Sequence, residues 1–308
     1  MITYQYRDPK DEKLIKSEAF RDGSLIVVES PTSDELNQLE SRFKLDLDLM
    51  TDALDPDEIP RIDVDEDILY VYMRYSERNG EVVETDPVLL AVGPTFVASI
   101  SKSPVTGLDK LMNSREFITT ERAKLLLLLL RNLVLSYETN INYLDRQIRG
   151  VRARLNVETI NNRDFVQFVV IEDSLSSFLA ELIPANLLFT GLLSGRYTVK
   201  FHEEDRDLIE DLVQATRQLS ETSQSSLRTA MNIREAYSNI MTNNLNRRVE
   251  LLTSITVILT IPTIIFSLFG INVPIPSQSS PYAFAVITIG TLVFMILALY
   301  WLYRRRWL

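Results

Sequence analysis

The stretch Leu251-Leu-Thr-Ser-Ile-Thr-Val-Ile-Leu-Thr-Ile-Pro-Thr-Ile-Ile-Phe-Ser-Leu-Phe269 carries no charge and runs directly into Gly270-Ile271-Asn272. Its 19 residues match the ~20 apolar residues a helix needs to cross a bilayer. The absence of charge continues to Tyr303, 53 positions in all. Residues 270–281 form a Pro- and Ser-rich link, and Tyr282–Tyr303 offers a second apolar segment of 22 residues. All 74 charged residues therefore fall in the other 255. This partition excludes an ordinary soluble protein and predicts a large aqueous body with a C-terminal two-helix transmembrane hairpin. Arg247-Arg248 precede the first span, and Arg304-Arg305-Arg306 follow the second. The excess of basic residues on cytosolic flanks places both termini in the cytosol and the link outside, in a cytoplasmic membrane. Tyr300, Trp301, Tyr303 and Trp307 suit the inner interface.

The two spans differ in kind. The second, 282–303, is mostly lipid-compatible, through Ala283–Ile289 and Leu292–Leu299. The first, 251–269, carries Thr253, Thr256, Thr260, Thr263 and Ser267, spaced 3, 4, 3 and 4 apart on one helical face. Gly270 continues the series forwards; Val249 and Asn246 continue it backwards. Such hydroxyls serve either helix packing or a water-lined pathway. Two helices cannot enclose a pore, so a pathway requires several copies.

Working back from the spans, residues 203–269 hold one proline, Pro262, and no glycine. A single helix is predicted over this range, with a stalk at 203–250 ahead of the membrane. Residues 119–202 read as long cytosolic helices over roughly 120–155 and 162–193, broken at Leu193-Ser194-Gly195, with Pro184 kinking or interrupting the second. The six leucines Leu125–Leu130 lie between Lys124 and Arg131, too short a run to span, and predict a buried helix. Residues 1–118 read as an α/β domain, so the body as a whole is α+β. Strands are expected at Ser24–Glu29, Ile68–Tyr75, Val88–Val92 and Phe96–Ile100, with a hairpin turn at Asn79-Gly80. Thr32 and Glu35 form a capping-box pattern ahead of a helix running to about Leu54.

The net charge of −10 argues against a nucleic-acid partner and suits divalent cations. With no Cys and one His, His202, there is no thiolate zinc site, no Cys nucleophile and no His pair for a zinc protease. No glycine-rich phosphate loop is present, so an enzyme is not expected. Ten acids crowd Asp46–Asp67 against one base, Arg61.

Phe269-Gly270-Ile271-Asn272 at the end of the first span resembles the hallmark of the CorA family of divalent-cation transporters, Gly-Met-Asn after an aromatic. The order of an acidic α/β domain, long helices, a stalk running into the membrane, the motif, a short loop and a second span is similar too. So is the basic tail 304–308, Arg304-Arg305-Arg306-Trp307-Leu308.

The resemblance implies a funnel-shaped homopentamer in the lipid bilayer that conducts Mg²⁺, with Co²⁺ or Ni²⁺ as further cargo. The membrane potential would drive the flux. It further implies that Gly270, Ile271 and Asn272 form the selectivity filter. Five Asn272 carbonyls would accept hydrogen bonds from the ion's water shell. Asn246, Val249, Leu252, Thr253, Thr256, Thr260, Thr263 and Ser267 would line the pore, with Val249 and Leu252 as an apolar constriction. Asp207, Glu210 and Asp211 on the stalk would hold regulatory Mg²⁺ between subunits. Ile271 stands where Met is usual, as it does in some zinc transporters similar to ZntB. Zn²⁺, carried with proton coupling, is therefore the alternative cargo. The loop Val273–Ser280 carries no acid.

Overall fold

The computed structural model describes residues 1–11, 14–154, 162–195, 197, 199–271 and 280–305. The chain divides into two compact units, Met1–Arg234 and Glu235–Leu308.

The first unit is built on a seven-stranded sheet: β1 (Ile2–Tyr6), β2 (Ile15–Ser17), β3 (Ser24–Glu29), β4 (Arg61–Asp65), β5 (Ile68–Asn79), β6 (Val82–Val92) and β7 (Phe96–Ser101). Their spatial order is β2-β1-β3-β7-β6-β5-β4. Only β3 and β7 run parallel, Ser24 beside Phe96; the other neighbours are antiparallel. Both sheet faces are covered, which is why β3, β5 and β7 read as nearly continuous apolar runs. On β5, Ile68, Tyr70 and Tyr72 enter one core, while Leu69, Val71, Met73 and Tyr75 enter the other. This is the two-residue period of a strand.

The smaller core is closed by α1 (Ser33–Phe43) and α2 (Leu47–Asp52) through Leu36, Leu39, Phe43 and Met50. The capping box is present: Glu35 N donates to Thr32 Oγ1 at 3.3 Å and Thr32 N donates to Glu35 Oε2 at 3.0 Å. The expected single helix to Leu54 is instead two. Lys44 ends α1 in the left-handed conformation (φ 57°), and Asp46 starts α2 by accepting from Leu49 N. Strands β1, β2 and β4 and the short α3 (Leu108–Met112) are additional to the sequence reading. The four expected strands are present, β5 and β6 being longer. Their connection falls one residue later than expected: Asn79 pairs with Val82, and Gly80 takes φ 70° in the turn.

The larger core lies between the sheet, α4 (Arg122–Arg154), α5 (Asn162–Leu193) and the first part of α6 (Glu203–Phe269). Leu125 to Leu130 are all buried, at most 4% exposed, as expected of a helix in a protein core rather than a membrane span. Helix α5 runs through Pro184 without a break.

One buried network ties these layers. Arg74 on β5 sits 2.9 Å from Glu181 on α5 and donates to the carbonyls of Pro56, Glu58 and Thr85. Glu181 also accepts from Thr85 Oγ1 at 2.5 Å and from Tyr137 on α4 at 2.6 Å. Burial pushes the Glu181 carboxyl above its usual range and the Tyr137 phenol well above its own.

The second unit holds the remainder of α6 and α7 (Ala283–Arg304). Both are long and apolar enough to cross a membrane. Helix α5 also reaches that threshold, but almost half of its apolar window is buried in the first unit's core.

Candidate cation pathway

In the membrane part of α6, burial is uneven. Ser254 is fully covered, and Ile258, Ile261, Pro262 and Ile265 are partly covered. On α7 the covered positions are Ala283, Ile287, Thr288, Thr291, Met295, Ala298 and Leu302. Each set recurs at steps of three and four, so each helix has one sheltered face.

Thr253, Thr256, Thr260, Thr263 and Ser267 are all exposed. At ~100° per residue, their face lies about 180° from the sheltered face of the same helix. Among the described residues, the hydroxyls therefore take no part in packing within one chain. Nor do the threonines direct their protons outward. Each donates to the carbonyl four residues back: Thr253 to Val249 at 2.8 Å, Thr256 to Leu252 at 2.8 Å, Thr260 to Thr256 at 2.7 Å and Thr263 to Leu259 at 2.9 Å. With the proton committed, the outward lone pairs are acceptors. A hydrated cation presents only water protons, so this column of acceptors matches its surface.

The face extends beyond the threonines. Asn246 and Val249 are exposed on it, and exposed Leu252 borders it. At the other end, Gly270 closes α6, its N–H donating to Phe266 O at 2.9 Å and Ser267 O at 3.2 Å. A Cβ there would come 3.2 Å from Phe266 O, which makes glycine the easiest residue to seat at this end. Ile271 is exposed; Asn272 lies outside the described residues, as do the rest of the loop to Ser279 and the tail residues Arg306, Trp307 and Leu308.

In the soluble unit, Asp207, Glu210 and Asp211 are exposed on α6. Among the described residues no three His, Asp or Glu side chains converge as a metal site, so these acids form no closed site within one chain. Much of the acidic segment 46–67 has structural work instead. Arg61 bridges Asp52, Glu58 and Asp63 at 2.8–3.0 Å, and Asp46 caps α2. His202 is exposed at the start of α6, its N–H donating to the Asp205 carboxylate at 2.8 Å.

Sequence reasoning overlooked the Arg74–Glu181 network. One signal pointed to it: Glu181 is the only charged residue between Asp173 and Arg196.

Comparison with known proteins gives the chain a family and a fold. The family of CorA-like Mg²⁺ transporter proteins matches residues 24–305. A curated relative, the cobalt/magnesium transport protein CorA of Methanocaldococcus jannaschii, is 24% identical over 94% of this chain and 93% of its own. The complete structure of the CorA magnesium transporter from that organism superimposes with a TM-score of 0.83 at 19% identity, covering 100% of this chain and 99% of that one. Full-length CmaX gives 0.73 at 19% identity over 99% and 97% of the two chains. The ZntB cytoplasmic domain from Vibrio parahaemolyticus gives 0.61 at 11% identity over 79% and 97%. A family match over nearly the whole length, joined to two membrane-length helices of which one carries a face of hydroxyl acceptors, establishes that this chain belongs to the CorA family of divalent-cation transporters and is not an enzyme.

Proposed function

We propose that five copies of this chain form a Mg²⁺ channel in the cytoplasmic membrane, with both termini cytosolic, the 251–269 helices innermost and α7 folded back outside them as a hairpin. The observation that carries this reading is the acceptor column of Thr253, Thr256, Thr260 and Thr263, exposed opposite the sheltered face of α6. In a bilayer such a column needs water or neighbouring copies beside it. Mg²⁺ dehydrates reluctantly and is best passed with its water shell in place. Neutral oxygens grip that shell lightly enough to release it. Asn272 supplies the ring at the mouth, and Val249 and Leu252 narrow the inner end. A divalent ion entering down the membrane potential gains ~4.6 kcal/mol per 100 mV.

Asp207 and Asp211 sit four residues apart and repel each other. A Mg²⁺ ion placed between neighbouring stalks relieves that repulsion and favours the closed state. Asp211→Asn is expected to leave the channel more active at high internal Mg²⁺, and wild-type inhibition in that variant would remove the stalk acids from the mechanism.

Zn²⁺ is the second reading, favoured by Ile271 in the motif. Ion-resolved uptake into proteoliposomes, with and without a pH gradient, separates the two. Mg²⁺ flux that follows the potential and ignores the pH gradient is expected; proton-dependent Zn²⁺ flux without Mg²⁺ flux would replace the proposal.

A further inference from the structure

Helix α5 presents an unusual outer surface. Its exposed positions from Ser176 onward are Ser176, Ser177, Ala180, Ile183, Leu187 and Thr190, a ridge with no charge in a chain that is 24% charged. Ile183 is 55% and Leu187 69% exposed. Elsewhere on the same unit, α4 and α6 leave a groove of about 340 Å³ between them. Leu127, Leu135, Leu208, Leu212 and Ala215 line it, with Arg131, Glu138 and Asp211 among its polar residues.

The contacts within the helical layer fix the relative heights of ridge and groove. Tyr137 on α4 meets Glu181 on α5, Asn186 on α5 meets Val213 on α6, and Ser226 on α6 meets Asp145 on α4. Helices α4 and α6 therefore run one way and α5 the other, as the Gln167–Gln147 and Arg234–Glu172 pairs also require. On this scale the ridge from Ser176 to Thr190 stands level with the groove, which spans Leu127 to Asn142 on α4 and Leu208 to Thr222 on α6. Asp173, just before the ridge, stands level with exposed Arg146 and Arg228 on the two groove helices.

We infer that the α5 ridge of one copy seats in the α4–α6 groove of the next, and that this contact closes the cytosolic ring. The inference rests on the oligomeric reading above. Rotation about an axis parallel to the helices preserves heights and directions. It delivers an uncharged antiparallel helix to a leucine-lined groove with polar margins at its own level, and brings Asp173 to the neighbour's Arg146 and Arg228. Two different surfaces meeting head to tail close into a ring when the rotation permits, with no restriction to even numbers.

The absence of cysteine makes the test direct. Leu187→Cys and Leu135→Cys are introduced singly into separately tagged full-length chains, co-expressed in membranes and oxidised. The expected result is a disulfide-linked heterodimer carrying both tags, abundant only in the mixture. Chains carrying both substitutions should give a ladder reaching the full oligomer. Ala215→Cys replaces Leu135→Cys as a second groove position. If native mass shows an intact oligomer but neither groove position cross-links to Leu187→Cys, the ridge-and-groove contact is wrong and the channel reading stands. A monomeric mass overturns both.

Discussion

The two units treat polar groups in opposite ways. In the soluble unit, Arg74, Glu181, Tyr137 and Thr85 are held in a closed, water-poor network. In the membrane unit, Thr253 to Thr263 stand exposed on an otherwise apolar helix, bonded only to their own backbone. Inside the soluble core, a polar group is explained by its partners, so its role is architectural. On the membrane helix the hydroxyls keep unused acceptors on a face that is exposed among the described residues. Such acceptors call for a ligand that donates.

The sharpest way to break this contrast is Asn272→Ala. Uptake of Mg²⁺ should be abolished with the assembly mass unchanged, and Ile271→Met should be mild. Unchanged flux in Asn272→Ala would reduce the motif to a helix cap.

In the soluble unit the matching variant is Glu181→Ala. It leaves the Arg74 guanidinium buried without its counter-charge, a change expected to cost roughly 3–5 kcal/mol. Denaturation of the full chain in detergent would show an early soluble-unit transition. A shift under 1 kcal/mol would mean that the network is not a shared support.

A smaller effect sharpens the two faces of α6. Thr260→Val, on the acceptor face, should lower uptake several-fold without altering the oligomer. Ser254→Ala, on the sheltered face, removes a buried hydroxyl that has no hydrogen-bond partner among the described residues. It should leave uptake unchanged and raise thermal stability slightly. Equal losses from both would mean that the two faces are not functionally distinct.

The smallest effect belongs to Glu35. Its hydrogen bond from the Thr32 backbone holds its carboxyl below the usual range. A lowered folded-state value contributes stability above pH 4.5 that is lost as pH falls below it. Glu35→Gln should cost about 1 kcal/mol or less near neutrality, with the gap to wild type closing at lower pH.

Legibility in the sequence followed the strength of local periodicity. The membrane helices, the long helices and the four central strands were readable because each buries a stripe or a whole run. Thr32 and Glu35 announced α1 because the cap is made by neighbours in sequence. The edge strands β2 and β4 were not, since Ile15-Lys16-Ser17 and Arg61-Ile-Asp-Val-Asp65 are short or charged, as edges must be to discourage further pairing. The break at Lys44 was hidden because a lysine gives no warning of a left-handed turn. For the pathway, spacing supplied the hydroxyl face, but only burial showed that it lies opposite the face sheltered within the chain. The partnership of Arg74 with Glu181 crosses 107 positions, so the lone charge of Glu181 was visible in the sequence but its partner was not.

The parallel pairing of β3 with β7 has a kinetic consequence. Ser24 meets Phe96 across a chain segment that contains α1, α2 and three whole strands. Closing so long a loop costs entropy before any contact is gained. The β5–β6 hairpin, joined by a tight turn, can form on its own schedule. The N-terminal strands must wait for β7 to complete the sheet's centre. Newly made chains would therefore pass through a stage in which β3 is unpaired along that edge, open to the same strand of another nascent chain.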